Sequence, residues 1–171
     1  MTAPQQGLDL LTFAQQLLTD VPARFASAGN PLPDRRMIIP GDPLQHAWDC
    51  EQFTVGLTGT GFGQAEDLSA ITPRAGSPVS AFSVRHAVYS LQIVRCAPNV
   101  SAKGVPTPEQ IQAGGEQMLR DAGLLSQVLT ELVQELGGAP HARAGATNSD
   151  GVSGGYYGLT GSISITTGDL V

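Results

Sequence analysis

The chain has 171 residues, nine Lys and Arg against fifteen Asp and Glu, a net charge of −6, and only 14% charged residues. The cations are scattered, with Arg35-Arg36 the one adjacent pair, which argues against a nucleic-acid binder and its stripe of Lys and Arg. The length suits one α/β domain with a proper core. A free monomer usually carries about a quarter charged residues, so the shortfall suggests surface that other copies cover.

Residues 8–28 read as a helix. Leu11, Ala14, Leu18, Val21 and Phe25 recur at spacings of three and four, and Leu10 and Leu17 widen that face. Pro22 removes a backbone donor and crowds the carbonyl of Leu18. A kink or a restart capped by Asp20 is therefore expected there. Gly29-Asn30-Pro31 ends the helix.

A short strand follows at 34–39, stopped by Pro40-Gly41-Asp42-Pro43. Over 48–57, Glu51, Phe53, Val55 and Leu57 share one face and Cys50, Gln52 and Thr54 the other, the period of a half-buried strand. Residues 86–96 form a third strand with Ala87, Tyr89, Leu91 and Ile93 on one face. Val88, Val94 and Cys96 lie on the opposite face, so this strand is expected centrally in the sheet. The stretch 58–85 holds no lasting period and reads as a long loop, the kind of segment that is functional or disordered in a compact domain.

The helix at 107–136 carries the clearest signals. Thr107 is its N-cap, Pro108 its first residue, and Gln110 the far corner of a capping box. Ile111, Gly115, Met118, Ala122, Leu125, Leu129, Leu132 and Leu136 then step by four and three. Gly114, Gly115 and Gly123 each cost ~1 kcal/mol of helix propensity relative to Ala, which suggests a helix lying close against a sheet. Gly137-Gly138 and Pro140 end it. A second flexible stretch occupies about 140–157, and the last strand, 158–167, alternates Leu159, Ile163 and Ile165 with Thr160, Ser162, Ser164 and Thr166.

These elements define an α+β domain spanning 1–171. Its mixed, mainly antiparallel β-sheet carries an N-terminal helix and one long helix packed on it, in the order α-β-β-β-α-β. No second domain or internal repeat is expected. Nothing near Met1 resembles a secretory signal, and no apolar run approaches the ~20 residues that span a bilayer. A cytoplasmic origin with reduced cysteines, and no membrane partner, is the expectation.

Chemistry-bearing groups are few. His46, Asp49, Cys50 and Glu51 lie together, with His86, Cys96 and His141 elsewhere, but cysteines inside strands usually act as small hydrophobes. No pairing of metal-ligand spacing occurs. Gly59-Thr60-Gly61-Phe62-Gly63 lacks the Lys-Ser/Thr and the following helix of a phosphate loop. The chain therefore reads as no enzyme, with no catalytic residue, metal or cofactor assigned.

The interface candidates lie elsewhere. Trp48 and the pair Tyr156-Tyr157 sit at loop-to-strand junctions, where they cover the sheet's end or meet a neighbouring subunit. Arg85 and Arg95 bracket the third strand, as solvated or intramolecular pairs by default or as interfacial ones. Arg74, in the long loop, completes the charged candidates. Thr160, Ser162 and Ser164 mark a terminal strand without Lys or Pro, either central or an edge that pairs with another chain.

Several segments resemble one family. Arg36-Met37-Ile38-Ile39-Pro40-Gly41-Asp42-Pro43 and Ala47-Trp48-Asp49-Cys50-Glu51-Gln52-Phe53-Thr54-Val55 are similar to tail terminator proteins of siphophages that infect actinobacteria. Leu91-Gln92-Ile93-Val94-Arg95-Cys96-Ala97-Pro98, Pro106-Thr107-Pro108-Glu109 and Gly154-Gly155-Tyr156-Tyr157-Gly158-Leu159-Thr160-Gly161 follow in the same order. The element order is also similar to that of the phage-lambda-type terminator.

The resemblance implies a virion protein of the neck, assembled in the host cytoplasm as a homo-oligomeric, hexameric ring. That ring would cap the major tail tube protein, stop its polymerisation and offer a docking surface to the head-tail connector or head-closure protein. Genomic DNA would pass through it without specific binding. The competing readings are another neck component, such as a head-closure or connector subunit, a small cytoplasmic thiol enzyme using Cys50, or a monomeric binding module.

Overall fold

A computed structural model describes residues 10–41, 51–63, 84–97, 106–138, 141–153 and 156–167. Eight elements follow in chain order: α1 (Leu10–Ser27), β1 (Arg35–Pro40), β2 (Gln52–Gly63), β3 (Val84–Cys96), α2 (Pro108–Glu135), β4 (Ala142–Ala144), β5 (Asn148–Ser153) and β6 (Tyr156–Thr167). The fold is α+β, as the alternation of periods indicated. Its six strands form one sheet in the order β1-β2-β3-β6-β4, with β5 also paired to β6. Of these pairings, β1–β2 is parallel and the others are antiparallel.

The register separates the two faces of the sheet. Phe53, Ile93 and Leu159 form one cross-strand row, and Leu57, Tyr89 and Ile163 another. Both helices cover this face, and its side chains merge with Phe13, Leu17, Val21, Phe25, Leu125 and Leu129 in a single core. Helix α1 packs over β1 and β2, whereas α2 packs over β6 and β4. Arg24 bridges the helices, reaching Glu131 at 3.0 Å and Glu135 at 2.6 Å.

Several expectations change. Helix α1 runs unbroken through Pro22, which is itself buried, so packing of Val21, Pro22 and Phe25 offsets the lost backbone bond. Its buried stripe is rotated toward Phe13 and Leu17, and Leu11 is 56% exposed. Phe13 sets that phase by meeting the Tyr89 ring edge-on at 5.1 Å. The Tyr89 hydroxyl then donates to the Leu10 carbonyl at 2.9 Å.

Strand β2 continues through Gly63, so Gly59 to Gly63 pair with β3 instead of leaving the sheet. Val84 and Arg85 already belong to β3, and residues 64–83 of the predicted 58–85 loop lie outside the described residues. Within 140–157, two short strands pair with β6 where a flexible stretch was expected. Glu51 precedes β2 at φ 63 instead of sharing a strand face with Phe53. Its Oε1 accepts from the Cys96 backbone N–H at 3.0 Å.

The capping box of α2 forms as the sequence indicates. Gln110 N donates to Thr107 Oγ1 at 3.3 Å, and Thr107 N donates to Gln110 Oε1 at 2.9 Å. Both helices end in the same motif. Asn30 N reaches Phe25 O and Gly138 N reaches Val133 O, with Gly29 and Gly137 at positive φ. The close helix–sheet approach, however, is not at Gly115 or Gly123. Gly115 and Gly123 face open space, while a Cβ on Gly161 of β6 would stand 2.9 Å from Leu125 Cδ2 and from Leu129 Cδ1.

Candidate functional site

Arg95, at the end of β3, anchors the most developed polar cluster among the described residues. Its Nε donates to Asp121 Oδ2 at 2.6 Å, and its Nη2 donates to Asp121 Oδ1 and to the Pro31 carbonyl, each at 3.1 Å. Asp121 lies on the α2 face turned to the sheet and is fully buried. Asn30 Nδ2 donates to it at 2.8 Å, and Gln117 Nε2 donates both to Asn30 Oδ1 and to Asp121 Oδ1. One carboxylate thus fastens β3, α2 and the turn that closes α1. Burial opposes the Arg95 charge, but Asp121's hydrogen bonds and charge outweigh that opposition and raise the guanidinium further above its ordinary range.

Tyr157 lies opposite Arg95 on β6. Its phenol is pushed up to about 12, first by burial and then by the charge of Asp121, with Arg95 acting in the other direction. The folded state therefore holds this proton more tightly than the unfolded chain, whose tyrosine titrates near 10. That contribution to stability is complete below pH 10 and is lost as pH rises toward 12. Denaturant midpoints should fall across this window, and fall less steeply in Tyr157→Phe; equal slopes would show that another group governs alkaline unfolding.

The predicted interface residues divide between the two faces. Arg95 and Tyr157 belong to the helix-covered side and are held within the chain. Thr160, Ser162 and Ser164 alternate onto the other side of β6. There Thr54, Gln92 and Thr160 form a row, followed by Gly56, Ser90 and Ser162. Thr54, Ser90 and Gln92 are buried, and Thr54 Oγ1, Gln92 Oε1 and Thr160 Oγ1 make no hydrogen bond among the described residues. Tyr156 is half-buried and pairs through its backbone with Cys96. Arg85 pairs through its backbone with Phe62 and Thr167. Trp48 and Arg74 lie outside the described residues.

The terminal strand is not an edge. β6 has β3 along one side and β4 with β5 along the other. Of the sheet's two edges among the described residues, β1 carries Arg35, Arg36 and Pro40, and the β4–β5 side is broken into short pieces. Both devices discourage strand addition.

The groups considered for catalysis do not converge among the described residues. Cys96 is disulfide-bonded, contrary to the reduced state expected, and the chain's other cysteine, Cys50, lies outside the described residues, as do His46 and Asp49. His86 is buried, with Nδ1 3.4 Å from Thr166 Oγ1. Among the described residues no cluster of three His, Cys, Asp or Glu side chains could hold a metal ion, and no helix is long and apolar enough to cross a membrane. A cleft of about 800 Å³ opens beside the Arg95 cluster, between Gly29-Asn30-Pro31 and Leu119, Arg120 and Leu124 of α2; no cysteine or histidine lines it.

What the sequence reading missed is the surface of α2. Ile111 and Leu119 are 58% and 70% exposed. The signal was available: the apolar spacing of α2 extends beyond the length that one sheet covers. The chain matches no known protein-family model and no curated protein.

Proposed function

We propose that the protein is a tail terminator subunit, which acts as a ring that caps a phage tail tube. The carrying observation is the pair Ile111 and Leu119, large apolar side chains left at the surface of a chain with unusually little charge. Exposed apolar side chains grouped on one element, unlike scattered ones, mark contact surfaces. The segments that resemble actinobacteriophage terminators supply the identity of the assembly. Among the described residues, an open sheet with both helices on one face supports this reading over a head-closure subunit, for which a barrel-like run of strands is expected.

The mechanism is geometric. Heterologous contacts whose rotation closes generate a ring, here a hexamer. One face of the ring matches the last tube ring and stops growth because the other face accepts no further tube subunit. That second face receives the head-tail connector or head-closure protein. The acidic, cation-poor surface lets genomic DNA pass without being held. The site of action is the tail–neck junction of the virion, and no bond-making chemistry or cofactor takes part.

Light scattering on the eluted protein tests the assembly, alone and mixed with tail-tube protein. A multi-copy mass in at least one condition is expected. A single-copy mass in both would contradict the proposal.

A further inference from the structure

A ring needs a contact between successive copies, and the assignment of that contact to α2 rests on the ring reading above. Burial on this helix begins at Asp121 and continues at Leu125, Val128, Leu129 and Leu132. None of residues 108–120 is buried. At 1.5 Å per residue, these form roughly 20 Å of helix in which Gly114, Gly115, Gln117 and Met118 are half-buried and the other residues exposed. An isolated helix of that length is marginal in water, and Gly114 and Gly115 weaken it further. The capping box and the Gln117–Asn30 bond hold its two ends, but neither covers its side chains.

This half-helix has the composition of an interface. Ile111 is 58% exposed and Leu119 is 70% exposed, with the half-buried Met118 near them. A Cβ added to Gly115 or Gly123 would meet nothing within 4 Å, so another backbone can approach closely. Glu109 and Glu116 border the segment with two carboxylates, and Arg120 at its end adds one cation. Glu116 is already 3.6 Å from Arg120 in an exposed pair, which leaves it at the surface.

The complementary features lie on β1. Edge strand β1 exposes Ile38 at 39%, and Arg35 and Arg36 beside it form the only adjacent cation pair in the sequence. Arg36 donates through Nε to the Pro33 carbonyl at 3.4 Å and is exposed. Ile38 and Arg36 lie on β1, whereas Ile111, Glu116 and Leu119 lie on α2, so the two patches are different surfaces of the chain. Two different patches that meet between copies make a heterologous, head-to-tail contact, the kind that closes rings.

We infer that the N-terminal half of α2 docks on the β1 edge of a second copy, with Ile111 and Leu119 covering Ile38 and Glu116 facing Arg36. Opposite charges on the rim would set register and direction more than affinity.

Leu119→Asp and Arg36→Glu test the inference, since both positions are exposed and their melting temperatures should stay near that of the wild type. Each is expected to reduce the multi-copy mass seen by light scattering to that of one copy. Arg36→Glu combined with Glu116→Arg should restore the larger mass. Variants that keep the wild-type mass would overturn this contact while leaving the ring itself intact. Variants that keep that mass but lose tube binding would assign α2 to the tube protein, which also overturns it. A wild type that stays single-copy with and without tube protein would remove the ring reading and this inference together.

Discussion

Asp121→Ala is expected to lower stability by about 3–5 kcal/mol, the range for breaking a buried ion pair from one side. The carboxylate is fully buried and accepts from Arg95, Asn30 and Gln117. Its removal leaves the Arg95 guanidinium, whose side chain is 14% exposed, without its principal counter-charge. The loss is a large part of the roughly 5–15 kcal/mol that holds a domain together. It corresponds to a fall in melting temperature on the order of 10 °C for a chain of this size. Adding Arg95→Met should recover part of the loss, because a buried pair exchanged for apolar side chains is often tolerated. Chemical denaturation of the three proteins measures both effects. A loss below about 1 kcal/mol in Asp121→Ala would show that water already satisfies Arg95.

Gly161→Val is expected to cost about 3 kcal/mol, and Gly161→Ala about 1–2 kcal/mol, as overpacking of a closed core. A Cβ on Gly161 meets Leu125 Cδ2 and Leu129 Cδ1 at 2.9 Å and Leu125 Cγ at 3.2 Å. Both leucines are fully buried, so neither can swing into solvent. Gly161 is not at positive φ, so its backbone places no demand for glycine; room for α2 is the requirement. Gly161→Ala together with Leu129→Val should lose less than the two changes summed, because the shorter side chain makes space for the new methyl. Simple additivity would show that the helix shifts as a body instead.

The parts of the fold set by local chemistry were legible in the sequence. The N-cap, first-turn proline and capping box of α2 lie within four consecutive residues, Thr107 to Gln110, and all three form. The alternation along β3 was also legible, and its apolar residues on both faces placed it centrally between β2 and β6. Pairing across the chain was less accessible. β4 and β5 are short and rich in Ala, Ser and Asn; only their register against β6 makes them strands. The glycine run of β2 reads as a breaker by composition, yet β3 supplies backbone partners as far as Gly63.

Phase and distance account for the remaining differences. In α1 the leucines at 10, 11, 17 and 18 permit more than one buried face, and contact between Phe13 and Tyr89 selects among them. The glycines of α2 suggested a tight helix–sheet contact, but the tight contact belongs to Gly161, thirty-six residues beyond Leu125 in sequence. The Arg95 cluster joins groups 26, 64 and 91 positions apart. No spacing rule reaches so far. The apolar stripe of α2 runs the length of the helix in sequence, whereas its buried residues are confined to the C-terminal half. The terminal strand, read as either central or an open edge, is central, and this moves attention for assembly from β6 to α2.

Electron microscopy of tail tubes grown with and without this protein bears most directly on its function. Added protein should give shorter tubes that bear a ring-shaped density at one end and no longer elongate when fresh tube subunits are supplied. Tubes of unchanged length with bare ends, still growing beside a single-copy protein, would contradict the account.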